Sequence, residues 1–403
     1  MLSQLLSPFD ASVFLKDYLG EELLFVPGER LKFGDLPSWP EINELLARVS
    51  PGTLNVSVAK DGKRIPRERV LAKSGTGPEL ICASALLDEL RDGGTLILDG
   101  IDQHVPRIHS LATSLSTELA CNSVQVNLYA AWRRSPGFGA HWDDHDVFVL
   151  QTQGRKDWEV FRPNRRYPLR GDREMGLSVQ PPSGDPTWRG RLEAGDILYV
   201  PRGWWHSVIA CDEPCLHLTV GLHNPRYCDI GVFLGEELRM HDHMRRDVHR
   251  SVVGDRIEEE LLEVQHTLVA LASDPGLTAR FMHWLRATRM EKPVFDLPNA
   301  VQSAVATATE TVEVLLPKPF AIKALDGTEA IALCVGESAI VLHVSAAPLL
   351  TALSESTSES VESFTSRFAE SHGHEAVRGL LECLESNGVI RVRRESAAMA
   401  ARD

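Results

Sequence analysis

GFGAHWDDHDVFVLQTQGRKDWEVF, residues 137–161, sets two short β-rich runs, HDVFVLQTQ and KDWEVF, on either side of a glycine turn. Side chains two apart on a strand share a face, so His141 and Asp143 converge while Trp142 points the other way. A third ligand follows 63 residues after Asp143, in GDILYVPRGWWHSVIA, where a Pro-Arg-Gly turn precedes His206 at the start of another strand. Two imidazoles and one carboxylate make the facial triad of non-haem Fe(II) sites, which leaves three coordination positions open. His₂Asp also binds zinc, and His145 with Asp146 offers a competing set. Context favours His141, Asp143 and His206, because the HxD pair opens one strand and the tight turn before His206 aims its imidazole inward.

Outward from this stretch, residues 122–222 are dense in short strands (SVQVNLYAAW, DILYV, HSVIA, LHLTVGL) separated by Gly and Pro turns, which predicts a sandwich or barrel. Upstream, residues 8–56 read as short amphipathic helices, with Phe9, Val13, Phe14 and Tyr18 on one face and Ile42, Leu45 and Leu46 on another. Residues 79–94 read as a helical run feeding the strand TLILDG, and HSLATSLSTELA as a further helix. Beyond Asn224 the segments 234–250, 254–273 and 276–290 are charged and periodic, as in a helical domain. Pro293 and Pro298 mark a linker. The strands VEVLLPKP, IALCVG and AIVLHV, helices over 359–370 and 373–386, and a last strand GVIRVRRE then outline an α/β module of the winged-helix sort.

The chain has 403 residues, 43% hydrophobic and 24% charged, enough to bury real cores. Lys plus Arg is 42 against 56 for Asp plus Glu, a net charge of −14 that disfavours direct nucleic-acid binding and favours encounter with basic partners. Seven scattered cysteines suggest no disulfide framework. Cys211 and Cys215 form a CxxxC pair with no second pair at zinc-site distance. The first twenty residues lack a basic leader and reach Asp10, Lys16 and Asp17 early, and no run of apolar residues is long enough to span a bilayer. A cytoplasmic, reducing location without membrane attachment is the expectation.

HxD, then GRKDW, then PxGxxH resembles the JmjC subgroup of cupin-fold 2-oxoglutarate oxygenases, the ribosomal oxygenases in particular. The resemblance spans nearly the whole chain and is sharpest over 122–222. It implies a mainly β catalytic core, a double-stranded β-helix of the cupin/JmjC kind, over residues 1–228 with its centre at 95–224. A helical dimerisation domain over 229–293 and a winged-helix-like α/β domain over 294–403 would follow. It implies Fe(II) and 2-oxoglutarate as cofactors, with His141, Asp143 and His206 as the iron ligands. Lys156, 15 residues after His141, would pair with the distal carboxylate of 2-oxoglutarate. A dianion in a dry cavity needs such a partner, because an unpaired buried carboxylate is severely penalised. His217 and Thr219 alternate on LHLTVG, and Asn127 and Tyr129 on VQVNLY, so all four are candidates for the co-substrate pocket, Tyr129 serving equally as core packing.

The activity implied is hydroxylation of an arginine or histidine side chain in a basic ribosomal protein by a homodimer. Arg133 and Arg134 run against a cationic target. Trp204 and Trp205 offer an aromatic wall beside His206, with at least one of them ordinary packing. Two other readings stay open: a hydroxylase of a biosynthetic peptide or small molecule, and a catalytically silent cupin-like binding or regulatory protein. Histone demethylation ranks below both, since no chromatin-reading module is visible.

Overall fold

The computed structural model describes residues 1–73, 79–134, 137–174, 180–248, 255–288, 310–315, 320, 322–325, 327–335, 338–355 and 359–393. The chain falls into two compact units, Met1–Asn224 and Pro225–Asp403. Among the described residues no helix is long and apolar enough to cross a membrane.

The first unit is built on strands β1 (Leu24–Val26), β2 (Asn55–Lys60), β3 (Lys63–Arg64), β4 (Leu71–Lys73), β5 (Glu79–Ile81), β6 (Thr95–Asp99), β7 (Ser123–Ala131), β8 (Asp146–Gln153), β9 (Lys156–Phe161), β10 (Trp188–Leu192), β11 (Ile197–Val200), β12 (Trp205–Ala210) and β13 (Cys215–His223). Eight of them form one sheet in the order β1-β11-β8-β13-β7-β6-β2-β3, and three form a smaller sheet, β10-β9-β12. A one-residue antiparallel bridge between His141 and His206 continues the smaller sheet past β12. The two sheets are the two walls of the expected double-stranded β-helix.

Parity along the strands explains the layering. Phe148 and Leu150 of β8, Tyr199 of β11, Leu218 and Val220 of β13 and Val126 and Leu128 of β7 join one core with the helices Trp39–Arg48 and Pro106–Leu119. Their odd-even neighbours Val147, Val149, Leu198 and Val200 face the smaller sheet and pack on Trp158 and Val160 of β9. Both faces of β8 are therefore covered, and its first six residues are buried without interruption, whereas β9 alternates buried and half-buried. Interior positions of the large sheet between the two walls are where a site can form.

Several local expectations are corrected. The run 79–94 is not one helix: Glu79–Ile81 pairs with Leu71–Lys73, and the helix spans only Ala83–Arg91. In the segment 8–20 Phe14 is fully buried, but Val13 is exposed. Strand β10 was hidden by its composition, WRGRL, whose arginines point outward to Glu159 and Asp157 on β9. The HxD pair does not open a strand, since β8 begins only at Asp146.

In the second unit the helix Ile230–Leu238 ends well before residue 250, short of the expected 234–250 helix. Phe233 packs on Phe281 and Trp284 of the helix Leu277–Ala287, with ring centroids 5.6 and 5.9 Å apart. The helix Asp255–Ala272 leaves Leu261, Leu262, Leu268 and Val269 exposed. Further along, Thr311–Val314 pairs with Ile390–Arg393, and a three-stranded meander runs from Ile322 to His343. Helices Ala347–Glu355, Val361–His372 and His374–Ser386 share a core through Leu353, Phe364, Leu381 and Leu384. The Pro293–Pro298 linker lies outside the described residues.

Candidate metal centre and adjoining cavity

His141 and His206 are brought together by main-chain pairing. His141 N donates to His206 O at 3.1 Å and His206 N to His141 O at 2.8 Å. Directly opposed residues of an antiparallel pair project to the same face, and here the ring centroids are 4.2 Å apart. Asp143, two residues on, is held by a bond from Gly203 N to its carbonyl at 2.9 Å. Its Oδ2 lies 3.7 Å from His206 Nε2. The ligand atoms of His141, Asp143 and His206 all fall within 4.8 Å of one another.

The turn before His206 does what its sequence promises. Gly203 has φ +84°, and a Cβ there would meet Pro168 Cδ at 2.5 Å, so glycine is required on both conformational and steric grounds. Of the competing pair, Asp146 is employed elsewhere, whereas His145 lies on the cavity wall with its ring 4.4 Å from that of His223. Asp146 accepts from Arg202 N at 2.8 Å and from Asn224 Nδ2 at 3.0 Å, which clamps the same turn from behind.

Protonation suits a metal. His141 Nδ1 lies 2.9 Å from Gly139 O, and His206 Nδ1 lies 3.3 Å from Trp204 O. A carbonyl can only accept, so each Nδ1 donates its proton, and in the neutral tautomer that leaves the lone pair on Nε2 for coordination. Burial, then the nearby His141, push His206 down to about 4, with Asp143 opposing. Two imidazoles and a carboxylate are the donor set of a divalent transition cation.

The triad opens on a cavity of about 120 Å³ between the two sheets. Lys156, the first residue of β9, is only 3% exposed and points into it. Its Nζ reaches Tyr129 O at 3.5 Å, and the described residues offer it no carboxylate. Burial pushes it down to about 8, opposed only by the thiols of Cys215 and Cys211. Register then assembles the other wall: His217 faces Tyr129 and Thr219 faces Asn127 across β13 and β7. All four line the cavity with Lys156. The His217 ring stacks on Tyr129 at 5.0 Å, and its buried Nδ1 has no hydrogen-bond partner. Burial, then Lys156 and His206, hold that imidazole well below its ordinary value, so it is neutral. Burial also raises the Tyr129 phenol, which hydrogen-bonds Thr219 and stays protonated. Asn127 Oδ1 is occupied, accepting from Gly100 N at 2.9 Å and from Gln125 Nε2 at 3.2 Å.

The aromatic wall is not where the sequence put it. Trp204 and Trp205 are both buried outside the cavity, the first beneath Arg162 and the second bonded through Nε1 to Asn164. Besides Tyr129, the cavity's aromatics are Trp158, stacked 5.8 Å from His206, and Phe138, edge-on 5.7 Å from His141. Trp158 was legible: it sits two residues after Lys156 on a strand and so shares its face. Arg133 and Arg134 are exposed, and neither is among the residues lining the cavity. Cys211 and Cys215 are free thiols, the first half-buried and the second buried.

The profile of the JmjC domain matches residues 105–230. A bifunctional lysine-specific demethylase and histidyl-hydroxylase NO66 from Dictyostelium discoideum is 32% identical over 179 residues, 40% of this chain and 35% of the relative. The same-named protein of Drosophila melanogaster is 30% identical over 231 residues, 55% of this chain and 34% of the relative. The chain thus spans about a third of the length of these curated relatives. Among solved structures, the Escherichia coli ribosomal oxygenase YcfD superposes with a TM-score of 0.56 at 16% identity, covering 96% of this chain and 98% of that one. The same protein in complex with cobalt and 2-oxoglutarate superposes with a TM-score of 0.55 at 16% identity, covering 96% and 99%.

Proposed function

From a chain that carries a JmjC domain on the fold of a ribosomal oxygenase, we propose an Fe(II)- and 2-oxoglutarate-dependent hydroxylase acting on an arginine or histidine side chain of a ribosomal protein. The observation that carries the reading is one cavity holding both a His₂Asp set whose ligand atoms lie within 4.8 Å of one another and a buried cation to which the described residues give no acid. A buried ammonium without a counter-ion is costly, so the site fits an anionic co-substrate beside a metal. The fold relative whose structure is in complex with cobalt and 2-oxoglutarate supports the same pairing.

His141, Asp143 and His206 would hold the metal. Bound iron with 2-oxoglutarate and O₂ supplies the oxidising power to place one oxygen atom in a C–H bond, with succinate and CO₂ as co-products. The chain's own contribution is positioning. Lys156 receives the distal carboxylate, and the neutral His217 and the hydroxyls of Tyr129 and Thr219 offer hydrogen bonds along the co-substrate. Val147, Val149 and Trp158 keep the wall dry. The net charge of −14 favours encounter with a basic protein. Residues 229–293 pair two chains in this reading, supported by the exposed leucines of the helix Asp255–Ala272. Residues 294–403 form the winged-helix-like module. A cytoplasmic location accords with a ribosomal target.

The test measures 2-oxoglutarate conversion to succinate with Fe(II), wild type against His141→Ala, then intact mass and peptide mapping of acid-extracted ribosomal proteins. A one-oxygen mass gain on one protein, dependent on His141, is expected. Equal turnover by the two enzymes sinks the reading.

A further inference from the structure

The large sheet is wider than the small one. Three strands, β6, β2 and β3, extend it beyond β7, while the small sheet stays three strands wide. The face that forms the cavity wall therefore continues outward past the metal. Register fixes which residues it carries: Ile97 pairs with Tyr129 across β6 and β7, and Asn55 with Asp99 across β2 and β6. Tyr129 faces the cavity, so by alternation Asn127, Gln125, Asp99 and Asn55 share that face.

These residues, with Thr53, Arg64 and Gln103, line a second, open cleft, and Asn127 lines both it and the catalytic cavity. The two are also tied through Arg64, whose guanidinium lies 5.7 Å from the ring of Phe138, an aromatic of the catalytic cavity. Asn55, Gln103 and Gln125 are exposed, so packing does not require their amides. The cleft's charges cancel, because Arg64 pairs with Asp99 at 2.9 Å and Asn55 Nδ2 donates to the same carboxylate at 2.7 Å.

We propose that this cleft binds the extended main chain of the polypeptide substrate beside the target residue, a reading that rests on the hydroxylase function above. Carboxamides both donate and accept, which matches alternating peptide N–H and C=O groups. The balanced Arg64–Asp99 pair gives no field for a phosphate, and among the described residues lining the cleft none is aromatic, so nothing there stacks a base or a sugar ring. From β7 to β2 is two strand spacings, about 10 Å, the reach of roughly three extended residues. Specificity for the flanking chain is thereby separated from the chemistry at the metal.

Asn55→Ala combined with Gln103→Ala removes two amides from the cleft without touching the cavity. With acid-extracted ribosomal proteins as probe, the protein concentration for half-maximal hydroxylation rises about tenfold, as expected for two lost hydrogen bonds. The maximal rate, the KM for 2-oxoglutarate and the thermal midpoint stay with wild type. An unchanged half-saturation point overturns the cleft assignment while leaving the enzyme reading intact. A wild-type enzyme that hydroxylates no ribosomal protein overturns that reading, and this proposal falls with it.

Discussion

Lys156→Met should move stability and co-substrate affinity in opposite directions. In the protein without co-substrate, burial holds the ammonium at about 8 against an ordinary 10.5. That gap is roughly 2.5 tenfold steps in protonation, or about 3–4 kcal/mol at ~1.4 kcal/mol each. Because the folded value lies below the unfolded one, the penalty is full below pH 8, shrinks between 8 and 10.5, and is gone above. Methionine fills similar space without charge, so at pH 7 the variant's midpoint should rise by on the order of 5–10 °C, and the advantage should vanish towards pH 10.5. Binding responds in reverse. Leaving a carboxylate buried without its cation costs about 3–5 kcal/mol, so affinity for 2-oxoglutarate should fall by roughly two to four orders of magnitude. In wild type that affinity should weaken as pH climbs past about 8, where the free lysine loses its proton. Calorimetric titration with 2-oxoglutarate and a metal, together with thermal scans over pH, reads both effects. A variant that binds 2-oxoglutarate as tightly as wild type refutes the assignment of Lys156, and one whose midpoint falls refutes the claim of an uncompensated cation.

Asp143→Ala should abolish tight divalent-metal binding and succinate formation, whereas Asp146→Ala should retain metal binding but lower the thermal midpoint, because Asp146 clamps the turn through Arg202 N and Asn224; metal titration of the two separates the roles. Gly203→Ala forces a side chain into φ +84° against Pro168. It should cost about 1–3 kcal/mol in denaturant melts and weaken metal binding by displacing His206. Leu261→Asp with Leu262→Asp should convert the proposed dimer to monomer in light scattering, and an unchanged mass would remove the helix Asp255–Ala272 from the interface.

Much of the site was legible because strand alternation is a local rule. It put Asn127 with Tyr129 and His217 with Thr219, and the same two-residue spacing marked His141 with Asp143 although the strand begins only at Asp146; the structure finds these six lining one cavity, together with Lys156 and the unforeseen Trp158. The Pro-Arg-Gly turn was equally plain, since the backbone there requires glycine. Misreadings arose where local pattern was ambiguous. An arginine-bearing strand, Trp188–Leu192, lacks the apolar signal of a buried strand and draws its partners from β9.

The amino-acid sequence by itself determined the ligand types, their pairing by face and the β-rich class of the core, all consequences of a two-residue period and of side-chain chemistry. Only the tertiary structure showed Asp146 clamping the turn at Arg202, placed Trp204 and Trp205 outside the cavity, left Lys156 without an acid among the described residues and carried the cavity face out over β6 and β2. Those outcomes depend on which strand lies beside which, in what register, and how far one sheet covers the other. Such pairings join residues tens to more than a hundred positions apart, as β2 with β6 and β1 with β11 do, and no local period encodes them.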